Sequence, residues 1–173
     1  MKNFLLIFLT LFISNFCLAQ LKQKVKTGSL SKEEYKAFRE YLESKNLATK
    51  DTIFIKYDFN NETCWDMLDG SGKEYINKVL VGFQKQISDF NKQSSGAIAY
   101  NFREPGKNFN KLKLWDPTII IDDNLFLRKL FFKKKHQCGT SLLILGDGSF
   151  ATYSSDPHFE FLQVYKNYEG KKF

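Results

Sequence analysis

Apolar positions along the chain follow two different repeats, and the switches between them mark the predicted elements. Thr52 to Phe59 (TIFIKYDF) is a near-continuous β-branched and aromatic run with Lys56 and Asp58 alternating outward, which predicts a strand. Ahead of it, Tyr35, Phe38 and Leu42 recur at helical spacing, and Ser31 with Glu34 forms a capping box, predicting an amphipathic helix to about Asn46. After it, Ile76, Val79, Leu80, Phe83, Ile87 and Phe90 trace one face of a long helix behind a second capping box, Ser71 with Glu74. Gly96 opens a strand over Ala97 to Phe102. A polar excursion, 103–115, leads to a short strand candidate, Thr118 to Ile121. Asp122 or Asp123 then caps a helix carrying Leu127, Leu130 and Phe131. Thr140 to Leu145 (TSLLIL) reads as a buried strand, turned by Gly146-Asp147-Gly148 into a partner over Ser149 to Tyr153. Asp156 caps a last helix with Pro157 at its first position and Phe159, Leu162 and Tyr165 as its buried stripe. The polar, lysine-rich stretch Gln20 to Leu30 reads as a flexible lead-in, and 60–70 and 136–139 read as loops. There is no internal repeat and no low-complexity segment.

The first nineteen residues obey different rules. Lys2 gives a positive start, Phe4 to Ile13 is apolar, and Cys17-Leu18-Ala19 puts small residues at the −3 and −1 positions before Gln20. That layout predicts a secretory signal peptide cleaved after Ala19. The apolar run is shorter than the ~20 residues of a spanning helix. Lipid attachment at Cys17 is disfavoured by the bulky Phe16 before it. The expectation is an exported protein, periplasmic or secreted, without stable membrane insertion once cleaved. The chain then divides into the signal (1–19), the lead-in with its helix (20–50) and the main domain (51–173).

Composition narrows the class. Cleavage removes one lysine and no acid, taking the net charge from +7 to +6. What remains is long enough for one domain with a proper core. Eighteen phenylalanines and eight tyrosines exclude a disordered chain. Lysines cluster at Lys133-Lys134-Lys135 and in the tail; in an exported protein such runs read as a solvated face, so nucleic acid is not an expected partner.

The order strand, helix, strand, helix, hairpin, helix resembles the thioredoxin fold, most specifically over Gly96 to Ser155, where TIIIDD and a helix lead into GTSLLILGDGSF. This part is similar to the second half of exported thioredoxin-like and peroxiredoxin-like proteins, and the resemblance spans about Thr52 to Tyr168. It implies an α/β, three-layer sandwich with a central mixed sheet and helices on both faces. Departures from that pattern bear on function. Where the family carries Cys-x-x-Cys, this chain has Cys64-Trp65-Asp66-Met67, with methionine in place of the resolving cysteine. Gly139-Thr140-Ser141 stands where relatives hold a cis-proline. Thr63 adjoins Cys64 with no proline ahead of it, so the peroxidase pocket is not expected.

The resemblance also places the hairpin's first strand antiparallel to the first core strand, which brings Cys64 beside Cys138. A bridge needs α-carbons ~4.4–6.8 Å apart. Three states remain open for the pair: a structural disulfide, a redox-active disulfide, and two separate thiols. Glu62, Asp66 and Asp69 around Cys64 raise a thiol's pKa and oppose activation, unless His136 points at the sulfur. A copper or zinc carrier using Cys64, His136, Cys138 and His158 is a weaker alternative, and no cofactor is expected. Trp65 is either a recognition aromatic or a lid over the core. The expected function is a binding or structural module of the cell envelope without dithiol catalysis. Its partner would be an envelope protein or peptide, held at an edge containing Trp65, Met67, His136, Gly139 and Thr140. The alternative is a divergent thiol-disulfide oxidoreductase using Cys64 and Cys138.

Overall fold

A computed structural model describes residues 25–107 and 109–166, with side chains to residue 164. The signal-peptide expectation and the Tyr165 side chain lie outside the described residues. The elements run β1 (Val25–Ser29), α1 (Lys32–Ser44), β2 (Thr52–Asp58), a 3-10 turn (Asp66–Gly70), α2 (Lys73–Gln93), β3 (Ala97–Arg103), α3 (Lys111–Trp115), β4 (Ile120–Ile121), α4 (Phe126–Leu130), β5 (Thr140–Leu145), β6 (Ser149–Ser154) and α5 (Glu160–Lys166).

The strands form one mixed sheet in the order β1-β6-β5-β2-β3-β4. β2 pairs parallel with β3 and antiparallel with β5, and β5 and β6 form an antiparallel hairpin. Because side chains alternate across a strand, each strand feeds two cores. Ile53, Ile55 and Tyr57 join Ile98, Phe102, Leu142 and Ile144 against Phe38, Tyr41 and Leu42 of α1. Phe54, Ala97, Ala99 and Leu143 face the other way, onto Phe90 of α2, Phe159 just ahead of α5 and Leu162 within it. The protein is therefore α/β, with helices on both faces of the sheet. Each buried Leu, Ile or Phe contributes about 1.5–3 kcal/mol; the double-sided core buries Ile53, Phe54, Ile55 and Tyr57 of β2, a strand of which all seven residues are buried.

Several elements differ from the sequence reading. The stretch read as a flexible lead-in contains β1, which pairs antiparallel with β6 from Val25↔Tyr153 to Ser29↔Ser149. All five of its residues are exposed, so an edge strand held by backbone bonds left no apolar alternation to read. Lys56 and Asp58 point inward instead of outward, because the face they share is covered by the loop carrying Glu62 and by α3. The capping box at Ser31 and Glu34 is present with both reciprocal bonds. The one at Ser71 and Glu74 is not: α2 starts one residue later, with Gly72 as its cap, and Ser71 Oγ donates to the Met67 carbonyl. Residues 103–115 contain a short helix, α3, capped by the Asn110 side chain.

Two aspartates anchor helix starts from a distance. Asp122 accepts from the Leu127 and Arg128 amides at the start of α4. Asp156 accepts from the Glu160 and Phe161 amides at the start of α5 and from Ser141 Oγ of β5. Among the described residues no helix is long and apolar enough to cross a membrane.

Candidate functional site

The pairing of Tyr57 with Thr140 sets the end of β2 beside the start of β5. Beyond β2 the Phe59 amide donates to Glu62 Oε1, which folds the chain back on itself and presents Cys64. Cys138 and Gly139 lead into β5 from the other side. Cys64 and Cys138 form a disulfide, with α-carbons 5.2 Å apart across a sequence separation of 74 residues. A second tie, from Gln137 Nε2 to Thr63 Oγ1 at 2.7 Å, joins the same two loops. Both cysteines are half-buried, so the bridge is neither sealed nor fully open.

Beside it lies an ion cluster that the sequence reading missed. Lys56 pairs with Asp58, and Lys113 of α3 reaches Glu62 at 2.7 Å and Asp58 at 3.9 Å. Lys56, Asp58, Glu62 and Lys113 are each no more than 4% exposed. Two cations and two carboxylates compensate one another where any one of them alone would carry a large desolvation penalty. Burial pushes Asp58 up, but Lys56 and Lys113 outweigh it and hold its carboxyl below the ordinary value. At Glu62 burial, reinforced by the charge of Asp58, outweighs Lys113 and raises the carboxyl to about 7. The available signal was the opposite charge of Lys56 and Asp58, two residues apart in a run that is otherwise apolar: same face, complementary sign.

The remaining predicted residues divide between the two sides of the sheet. Trp65 packs edge-on against Phe83 of α2 and against His158, with ring centroids 5.4 and 5.2 Å away. It is half-buried, and Met67 beside it is 71% exposed. His136 turns instead toward β6, where its Nε2 is 3.2 Å from Ser154 Oγ. Thr140 is buried and pairs with Ser154 on that side. Gly139 adopts φ +74°, and a β-carbon there would run into the Asp58 carboxylate and the Tyr57 carbonyl. Cys64 and Cys138 come together; Trp65 with Met67 and His136 with Thr140 occupy separate surfaces. His136 and His158 are likewise apart, and among the described residues no cluster of three or more His, Cys, Asp or Glu could hold a metal.

Compared with family models, with curated proteins and with solved structures, the chain matches none.

Proposed function

We propose that this protein is an exported thioredoxin-like domain that binds an envelope protein or peptide and performs no dithiol catalysis. The inner strand order β6-β5-β2-β3, with its parallel β2/β3 pair and its antiparallel hairpin, supports the fold assignment.

The observation carrying the functional reading is the electrostatic setting of the disulfide. A nucleophilic cysteine requires its thiolate to be stabilised by nearby positive charge or a helix N-terminus. The two lysines at this edge, Lys56 and Lys113, are engaged by Asp58 and Glu62. The 3-10 turn after Cys64 carries Asp66 and Asp69 in its first turn, which disfavours an anion there. His136 faces Ser154. The bridge thus acts as a staple, fixing two loops whose outer surface presents Met67 and the rim of Trp65 to a partner.

A redox titration read by thiol alkylation and mass spectrometry tests this. A structural bridge has a potential below about −300 mV, whereas an exchanger sits nearer about −200 mV. The higher value would overturn the proposal. It would favour the oxidoreductase reading, for which the half-exposure of both cysteines is the supporting observation.

A further inference from the structure

On the face of the sheet that carries α1, the aromatic core stops short of the β1–β6 edge and a pocket opens. Its floor is polar: Thr140, Thr152 and Ser154 are each buried, where Leu142 and Ile144 fill the same face further along. The cavity measures about 140 Å³, with Phe131 and Phe132 forming one wall. Lys26 of β1 and Lys133, Lys134 and His136 from the loop after α4 line its mouth.

Three features point to an anion. First, no carboxylate among the described residues pairs with Lys26, Lys133 or Lys134, unlike Lys45, Lys56, Lys85 and Lys113, which all have acidic partners. Unpaired cations around a concave, partly apolar pocket concentrate positive potential inside it. Second, Thr140 is among the residues lining the pocket, is only 4% exposed, and its buried Oγ1 has no hydrogen-bond partner. An unsatisfied buried hydroxyl costs about 1–3 kcal/mol, a cost that a bound acceptor oxygen would remove. Third, the imidazole of His136 is held below its ordinary value by burial and then by the charges of Lys26, Lys134 and Arg128. Of these, only Arg128 has a carboxylate of its own, Glu104 at 2.8 Å.

We propose that this pocket binds a phosphate group, free or esterified to a small organic molecule, with Thr140 Oγ1 donating at its base and Lys26, Lys134 and His136 closing over it. Charge-assisted bonds from several donors suit a multiply charged tetrahedral anion better than a carboxylate. The aromatic wall of Phe131 and Phe132 leaves an apolar surface for the carbon part of an ester. The pocket opens on the α1 side of the sheet, and its His136 and Thr140 flank Cys138 in sequence, so the test is run on the oxidised protein.

The test is amide and imidazole NMR on the oxidised full chain, titrated with inorganic phosphate, glycerol 3-phosphate and acetate at constant ionic strength. Saturable shifts at His136 and Thr140 with the phosphates, at lower concentration than with acetate, are expected. Tighter binding of glycerol 3-phosphate would assign the ester, and equal affinities the free ion. Thr140→Val should weaken phosphate binding about fivefold while leaving the free protein's melting temperature unchanged or raised, because it deletes an unsatisfied hydroxyl. Lys134→Gln should weaken binding by a similar, about fivefold, factor and flatten its salt dependence. Absence of saturation with both phosphates, or affinity unaltered in both variants, would overturn the assignment.

Discussion

Gly139 stands directly against Asp58: a β-carbon on the glycine would lie 2.8 Å from Asp58 Oδ1 and 2.9 Å from the Tyr57 carbonyl oxygen. Its φ of +74° is one that side-chain-bearing residues rarely adopt. The residue that follows Cys138 is therefore fixed by the ion cluster beneath it, which couples the bridge to the buried charges. Gly139→Ala is expected to cost about 2 kcal/mol or more, through backbone strain and displacement of Asp58. Urea denaturation measures it; a loss below about 0.5 kcal/mol, the range of neutral surface changes, would contradict this packing.

Removing the disulfide tests the staple. In the loop-entropy account, a bridge closing a loop of this length stabilises by roughly 4–5 kcal/mol. The double variant Cys64→Ser, Cys138→Ser should unfold at correspondingly lower denaturant concentration. Reduction of the native protein should reproduce most of that change.

Glu62 gives stability a particular pH dependence. Its folded value of about 7 lies above the ordinary 4.5, so the folded protein holds a proton that the unfolded chain releases. This contribution is fully present below about pH 4.5 and is lost as pH rises through 7. Asp58, held low, has the opposite sign: its contribution is present above its ordinary value and is lost as pH falls. Chemical denaturation between pH 4.5 and 7.5 should show stability falling with rising pH relative to the variant Glu62→Gln, which carries no titrating proton there. Parallel curves for the two proteins would refute this.

Asp122 joins three elements. It is fully buried and accepts from the hydroxyls of Tyr41 on α1 (2.7 Å) and Tyr57 on β2 (3.0 Å), as well as from two amides of α4. Burial and then this carboxylate push both phenols well above the ordinary tyrosine value. Asp122→Ala strands four donors and is expected to cost about 3 kcal/mol or more. Asp122→Asn, which keeps one acceptor oxygen, should cost less. Thermal unfolding of the two variants gives the ranking.

Much of the framework was readable in the chain. Phe38, Tyr41 and Leu42 lie within the predicted first helix and form its buried side, and Asp122 and Asp156 do organise the helices that follow them. The candidate bridge was readable only through the resemblance, since spacing alone leaves two distant cysteines unpaired. The ion cluster was not readable at Lys56 and Asp58, whose alternation looks solvent-facing; Glu62 stood out only as an acid near Cys64, and Lys113 not at all.

Local spacing determined where most of the strands and helices run, though not β1 or α3, because periodicity and capping are properties of neighbouring residues. It determined as well which side chains share a face. Whether a face is covered, and by what, was decided only when distant segments packed together. Lys56 and Asp58 alternate as solvent-facing residues do, yet the Glu62 loop and α3 close over them. β1 has no apolar repeat, yet it completes the sheet because an edge strand needs only its backbone to pair. Hydrogen-bonding groups and charges acquire their energetic meaning from burial, and burial is a property of the assembled sheet and helices, not of any stretch of chain.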